Sequence, residues 1–83
     1  MKILYFAWLK EHTGQSSQDL KLPDGVNTVG ALIPFIARQS TGHQTALENH
    51  AAFRVAVNRV YGDLTTTVGN NDEVAFFPPV TGG

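Results

Sequence analysis

An apolar stretch that runs into two prolines near the end of the sequence constrains the fold more than any other feature. The segment Glu73–Phe77 reads EVAFF, Pro78-Pro79 follow at once, and the last residues are Val80-Thr81-Gly82-Gly83. Proline cannot donate a backbone hydrogen bond within a sheet, so a strand here must end at Phe77. Successive side chains of a strand point to opposite faces, so Phe76 and Phe77 cannot both face the same layer of the protein.

Four further strands are predicted along the chain. Residues 2–8 are apolar on both faces, which is typical of a strand in the middle of a sheet. Leucines alternate with charged residues over 18–22, and the polar stretch 10–17 before them, with its glycine, is predicted to be a loop. Residues 54–58 and 60–62 are predicted to be strands joined by a tight turn at Asn58-Arg59, and 69–72 form a turn before the last strand.

One main helix is predicted between these strands. Its apolar stripe recurs at helical spacing and consists of Val29, Leu32, Ile33 and Ile36. Thr28 is a candidate N-cap, and the helix is predicted to extend to about Gln39 and to stop at 40–42. Pro34 removes a backbone hydrogen bond and predicts a bend or an early end. A second, short helical segment is predicted over 45–51.

These elements predict an α+β domain in which the helix covers one face of a mixed sheet. The first and last strands are the most apolar, and we expect them to pair in parallel in the middle of the sheet. This arrangement is that of the ubiquitin-like β-grasp. The 83 residues are expected to form one domain, with 78–83 as an extended tail.

Composition and motifs exclude most conventional sites. The net charge of −1, without a basic cluster, gives no reason to expect nucleic acid or an anionic membrane as a partner. The apolar start is far shorter than the roughly 20 residues of a membrane span, so a cytoplasmic protein is expected. The absence of cysteine excludes disulfides, thiolate metal sites and a cysteine nucleophile. His12, His43 and His50 lack metal-ligand spacing and are predicted to be polar loop residues.

The tail and an apolar surplus remain to be explained. Phe6, Phe77 and Tyr61 are predicted to form a patch on the sheet face that the helix leaves uncovered, and such patches typically bind a partner. Pro78-Pro79 favour polyproline II and would hold the tail away from the body. Gly82-Gly83 are the narrowest peptide a chain can present, and the terminal carboxylate suits a deep slot in another protein. On spacing alone, a tail that ends in glycine by chance remains equally open.

The sequence closely resembles the small subunit of molybdopterin synthase, the MoaD family of ubiquitin-like sulfur carriers. The most specific likeness is the end of the chain, residues 72–83. Weaker matches are spread over the rest of the chain, and they are Ile3-Leu4-Tyr5-Phe6-Ala7, Lys10-Glu11, Gly14, Thr28-Val29, Ala31-Leu32 and Val55-Ala56-Val57-Asn58.

The resemblance implies a function for the tail. An activating enzyme related to ubiquitin E1 enzymes uses ATP to adenylate Gly83, whose carboxylate becomes a thiocarboxylate, and Gly82 is its companion glycine. The tail then enters the large synthase subunit, in a heterotetramer of two small and two large subunits. There the sulfur passes to cyclic pyranopterin monophosphate in molybdenum cofactor biosynthesis.

The same resemblance assigns the contact residues and the limits of the chain's own activity. Partner contacts are implied for Phe6, Tyr61, Phe77, Pro78, Pro79, Val80 and Thr81. The chain is expected to hold no cofactor stably and to catalyse nothing alone. Three alternatives remain: a protein modifier conjugated through Gly83, a sulfur carrier of another pathway such as thiamine synthesis, and a binding module with an inert tail. The diproline argues against the thiamine carrier, whose tail lacks it.

Overall fold

The last strand of the chain lies at the centre of a five-stranded mixed sheet. The computed structural model describes residues 1–79. Within them the strands are β1 (Lys2–Tyr5), β2 (Ser17–Asp19), β3 (Arg54–Val57), β4 (Val60–Gly62) and β5 (Glu73–Phe77), in the order β2-β1-β5-β3-β4. β5 runs parallel to β1 and antiparallel to β3. The predicted α+β fold with a mixed sheet and a parallel first and last strand is confirmed.

The helix-facing sides of β1 and β5 form the centre of the hydrophobic core. In the parallel register Ile3 lies opposite Val74 and Tyr5 lies opposite Phe76, and all four side chains are buried. The Tyr5 and Phe76 rings stack with centroids 6.4 Å apart. Alternation then directs Phe77 to the other face, where it is only half-buried, as the sequence required.

The main helix, α2 (Val29–Ala37), contributes the apolar stripe that the sequence predicted. Val29, Leu32, Ile33 and Ile36 are all buried. The Thr28 hydroxyl caps the helix, because Thr28 Oγ1 accepts a hydrogen bond of 3.2 Å from the backbone N–H of Ala31. The helix continues past Pro34 to Ala37, so the early end expected at the proline is wrong. Pro34 is exposed, and its ring therefore displaces no core side chain.

The loop predicted over residues 10–17 is wrong up to Thr13, where the chain is helical. β1 ends at Tyr5, and a helix, α1 (Trp8–Thr13), follows it. Ala7 makes the corner with φ 53° and ψ −129°, and Gly14 ends the helix in the left-handed conformation. Leu9 is fully buried, so this short helix is stabilised by tertiary packing rather than by its own propensity. β2 begins at Ser17 and ends at Asp19, whereas the sequence predicted a strand over 18–22.

Ser40 begins a helix instead of ending one. Ser40 Oγ accepts a hydrogen bond of 3.1 Å from the backbone N–H of His43, and α3 (Thr41–Leu47) follows, four residues earlier than the predicted 45–51. A single turn of 3₁₀ helix, His50–Ala52, leads into β3. α3 packs closely on α1, because a Cβ atom on Gly42 would lie 2.0 Å from the His12 carbonyl oxygen.

The prediction of polar loop positions is wrong for His12, which lies in α1, for His50, which begins the 3₁₀ turn, and above all for His43, which is buried in α3. Its Nδ1 lies 2.7 Å from Ser40 Oγ and its Nε2 lies 3.2 Å from Gln15 Oε1. Its ring meets the edge of Tyr5, with centroids 5.8 Å apart. Because Gln15 Oε1 can only accept, the proton of the neutral ring belongs on Nε2, and the Ser40 hydroxyl donates to Nδ1. Burial lowers the pKa of His43.

The hairpin of β3 and β4 turns where the sequence predicted. Asn58 and Arg59 have φ of 51° and 69°, as a two-residue hairpin loop requires. The Asn58 side chain ties this turn to the start of β5, since its Nδ2 donates to Asp72 Oδ1 at 2.8 Å and its Oδ1 accepts from Glu73 N at 2.9 Å. Across residues 1–79, no helix has both the length and the apolar character needed to cross a membrane.

Candidate partner-binding face and tail root

Large apolar side chains are exposed on the sheet face that the helices do not cover. We call this surface the aromatic face, and it consists of Phe6, Tyr61 and Phe77. Phe6 is 48% exposed and Tyr61 71% exposed, and the Tyr61 and Phe77 rings lie 5.7 Å apart. Phe6 follows β1, and its N–H donates to the Phe76 carbonyl at 3.1 Å, which places it beside Phe77. Three residues predicted to bind a partner therefore lie on one side of the sheet.

On β1, β2 and the start of β5, the charges of this side of the sheet lie at the opposite end from the aromatic face. Arg54 on β3 is the exception, because it lies opposite Phe77. Lys2 lies opposite Asp19 on β2 and opposite Glu73 on β5. Leu4 and Ala75, one step along the strands, separate these charges from Phe6 and Phe77. The apolar end is the end at which β5 leaves the sheet toward the tail.

The root of the tail borders a groove. Phe77, Pro78 and Pro79 are half-buried, and the prolines lie outside the strand. The groove has a volume of about 360 Å³ and is lined by Arg54, Val55, Tyr61, Gly62, Phe77 and Pro79. The other predicted tail residues, Val80, Thr81, Gly82 and Gly83, lie outside the described residues. The aromatic face and the tail root are thus one continuous surface.

The perturbed acids of the domain have structural roles. Hydrogen bonds from the Thr65 side chain and backbone lower the pKa of Asp63, and Asp63 Oδ1 accepts both of them within its turn. Hydrogen bonds from the Asn58 side chain and from the Gly69 N–H lower the pKa of Asp72. Both acids are held by turn contacts. Over residues 1–79, no three His, Cys, Asp or Glu side chains lie together as a metal site would require.

Arg54 is the residue at this surface that sequence reasoning missed. It begins β3, lies directly opposite Phe77 in the antiparallel register, and lines the groove at the tail root. Its place at the tail root depends on the register, which sets Val55 opposite Phe76 and Arg54 opposite Phe77, and nothing in the sequence alone indicates that register.

Comparison with known proteins agrees with this geometry. A molybdopterin synthase sulfur carrier subunit from Haemophilus influenzae is 36% identical over 83 residues, which cover 100% of this chain and 99% of that protein. Relatives from other organisms carry the same name. The crystal structure of SAMP1, small archaeal modifier protein 1, from Haloferax volcanii superposes with a TM-score of 0.74 at 29% identity, covering 100% of this chain and 98% of that chain.

The model of the ThiS family matches residues 3–83. The chain belongs to the ThiS family. The resemblance to ubiquitin-like sulfur carriers that the sequence motifs indicated is therefore confirmed, as is the β-grasp fold of its structural neighbours.

A further likeness to a solved structure shows the fold alone. It is a protein–protein complex of subunits 1 and 2 of the molybdopterin-converting factor from Helicobacter pylori, 22% identical with a TM-score of 0.65, in which 99% of this chain and 96% of that chain are covered.

Proposed function

We propose that this chain is the sulfur carrier subunit of a molybdopterin synthase and carries sulfur on Gly83. The observation that carries the proposal is the match of the ThiS family through residue 83. The name shared by its curated relatives, molybdopterin synthase sulfur carrier subunit, selects the pathway.

The chemistry requires activation of Gly83. A carboxylate resists acyl transfer because it lacks a good leaving group. An activating enzyme joins the Gly83 carboxylate to the adenylate of ATP and releases pyrophosphate. A sulfur donor then displaces AMP to leave a thiocarboxylate. In this proposal the part of the domain is to present the tail.

The domain also supplies the docking surface for the large synthase subunit. The aromatic face borders the tail root, so a partner that covers Phe6, Tyr61 and Phe77 would receive the tail at the same time. Burying exposed aromatic area favours association without directional bonds, and aromatic side chains commonly dominate the binding energy of an interface. The large subunit then uses the thiocarboxylate sulfur to build the dithiolene from cyclic pyranopterin monophosphate. Two small and two large subunits form the assembly.

Loading of the carrier tests this proposal directly. The protein is co-expressed with its activating enzyme and a sulfur donor system, and its intact mass is measured. A mass gain that corresponds to replacement of one oxygen by sulfur is expected, and it disappears when Gly83 is deleted. A mass that never changes, or a gain that survives the deletion, would overturn the proposal.

A second candidate function is protein modification through Gly83. It is favoured by one observation, the 29% identical structural relative named SAMP1. Conjugation would leave a Gly-Gly remnant on lysines of other proteins after proteolysis. Mass spectrometry of a wild-type lysate against a Gly83-deleted lysate separates this function from sulfur transfer.

A further inference from the structure

Arg54 lies where the tail root, the aromatic face and the helix side of the sheet meet. β4 ends at Gly62, which pairs with Val55, so β3 extends one residue past its neighbour. After Gly62 the chain turns away, because the Asp63 N–H donates to Thr66 Oγ1 at 2.9 Å. Arg54 therefore stands at an open corner of the sheet, and it lines a groove on each side of it.

The groove on the helix side is small and has an apolar floor. Its volume is about 220 Å³, below the roughly 300–1,000 Å³ of sites for drug-sized ligands, so it fits a side chain better than a small molecule. Val29, Ile33 and Phe53 form the floor and are buried, whereas Leu64 at the rim is 45% exposed. His50, Arg54 and Asp63 supply the polar rim.

The guanidinium of Arg54 has donors to spare. Nη1 donates to the carbonyl oxygens of Phe53 at 3.0 Å and Ala51 at 3.4 Å. Among residues 1–79, Nη2 and Nε donate to nothing. Asp63, the acid on the same rim, has its Oδ1 held by Thr65. The hydrogen bonds to the Phe53 and Ala51 carbonyl oxygens fix the guanidinium at the corner and leave its outer edge open to solvent.

We propose that Arg54 is a specificity-determining contact that pairs with a carboxylate of the partner, and that an apolar side chain beside that carboxylate fills the helix-side groove. This inference rests on the proposed function, because a partner that receives the tail must cover the tail root. Covering the guanidinium without an acceptor would leave a desolvated charge unpaired, which is costly. A carboxylate is the acceptor that matches the donor geometry of arginine. The partner segment over this corner is therefore acidic and carries a neighbouring apolar residue.

Charge reversal with a matched control tests the proposal. Arg54→Glu, Arg54→Gln and Arg59→Glu are titrated against the purified large synthase subunit by calorimetry at about 50 and 300 mM salt. Arg59→Glu changes the net charge by the same amount as Arg54→Glu. Arg59 lies in the hairpin turn at the far end of β3, away from the corner that Arg54 occupies. Circular dichroism checks that each variant is folded. Arg54→Gln, which keeps the polar stem without charge, tests the same contact should Arg54→Glu fail to fold.

The expected result is a loss of affinity of at least about tenfold for Arg54→Glu and a smaller loss for Arg54→Gln, with Arg59→Glu within about twofold of wild type. The salt dependence of binding should also weaken in both Arg54 variants. Equal affinities for Arg54→Glu and Arg59→Glu would overturn the inference. Phe77→Asp distinguishes failure of this inference from failure of the proposed docking surface. If Phe77→Asp abolishes binding while Arg54→Glu leaves the affinity unchanged, only the inference about Arg54 fails. If neither variant changes binding, the docking surface of the proposed function fails as well.

Discussion

At the scale of single residues, Ala7 carries the clearest backbone strain in the described part of the chain. It adopts φ 53° and ψ −129° at the corner between β1 and α1, and its side chain is exposed. An L-residue with a Cβ atom is disfavoured at positive φ, whereas glycine is not. The strain is maintained by the elements on either side, where Tyr5 and Leu9 are both buried.

Replacing Ala7 with glycine should therefore stabilise the domain. We expect Ala7→Gly to raise the free energy of unfolding by about 1 kcal/mol, measured by urea denaturation, because the Cβ penalty is relieved by more than the added chain entropy costs. Ala31→Gly in α2 is the matched control and should lower it by about 0.5–1 kcal/mol, since α2 is an ordinary helix. A destabilised Ala7→Gly would show that the corner is not strained.

The sequence predicted some of these residue conformations and not others. Asn58-Arg59 could be recognised as a tight turn because strand patterns flank it and asparagine tolerates positive φ. Ala7 could not, because alanine has no preference for its observed conformation and the corner is imposed by the packing on both sides. Gly14, which ends α1, was the local signal that a helix precedes it.

At the scale of elements, the contact of α1 with α3 depends on a missing side chain. A Cβ atom on Gly42 would lie 2.0 Å from the carbonyl oxygen of His12, which is backbone and cannot rotate away. We expect Gly42→Ala to lower the free energy of unfolding by at least about 2 kcal/mol, as forced overpacking does.

Gly69→Ala is the control for this contact, because its nearest neighbour, Asp72 Oδ2, would be 3.8 Å away. Thermal denaturation of both variants measures the difference. Equal melting temperatures would contradict the close approach of the two helices.

His43 gives the same pair of helices a pH dependence. Burial keeps its pKa below the ordinary value of about 6.5, so the unfolded chain takes up the proton at a higher pH than the folded chain. The contribution of neutral His43 is complete above pH 6.5 and is lost as the pH falls from there through the folded-state pKa.

Urea denaturation between pH 7.5 and about pH 5 measures this loss. His43→Gln should show a shallower decrease than wild type, whereas His12→Gln, which removes an exposed histidine of α1, should keep the wild-type decrease. Parallel curves for wild type and His43→Gln would refute the assignment.

The strands were more predictable than the short helices for a physical reason. β5 has the bounds that its apolar run and the diproline impose, and α2 carries a complete apolar stripe. α1 has six residues and only Leu9 fully buried, so no periodicity marks it. The sequence predicted that a helix ends at Ser40, although serine is equally a helix cap, and only the placement of α3 against α1 decides between the two.

At the scale of the whole molecule, one side of the sheet carries the buried core, and the other is the side that we propose for docking. The helices bury Tyr5 and Phe76, while Tyr61 and Phe77 remain available beside the tail root. We expect Tyr61→Ala to lower affinity for the large synthase subunit by at least about tenfold, because exposed aromatic side chains tend to carry the binding energy of such interfaces.

The free energy of unfolding of the Tyr61→Ala protein should change by less than about 0.5 kcal/mol, since the Tyr61 side chain is 71% exposed. Val60→Ala, which truncates another exposed apolar residue that alternation along β4 directs away from the aromatic face, is the comparison for affinity. A Tyr61→Ala protein that binds as tightly as wild type would remove Tyr61 from the docking surface.

The fold and the aromatic face could be predicted from the sequence because alternation alone places Phe76 inside and Phe77 outside. Arg54 could not be recognised as part of the site until the register of β3 against β5 was known, since its position at the tail root depends on pairing across the sheet. The proposed use of Gly83 rests on the family match, because a terminal glycine has no side chain to indicate a role.

Single-turnover sulfur transfer tests the central claim most directly. Thiocarboxylated protein is mixed with the large subunit and cyclic pyranopterin monophosphate, and the intact mass of the small protein and the yield of molybdopterin are followed together. We predict that molybdopterin forms while the mass returns to that of the carboxylate, and that Gly83-deleted protein gives neither change. A thiocarboxylate that binds the large subunit but is not consumed would contradict the account.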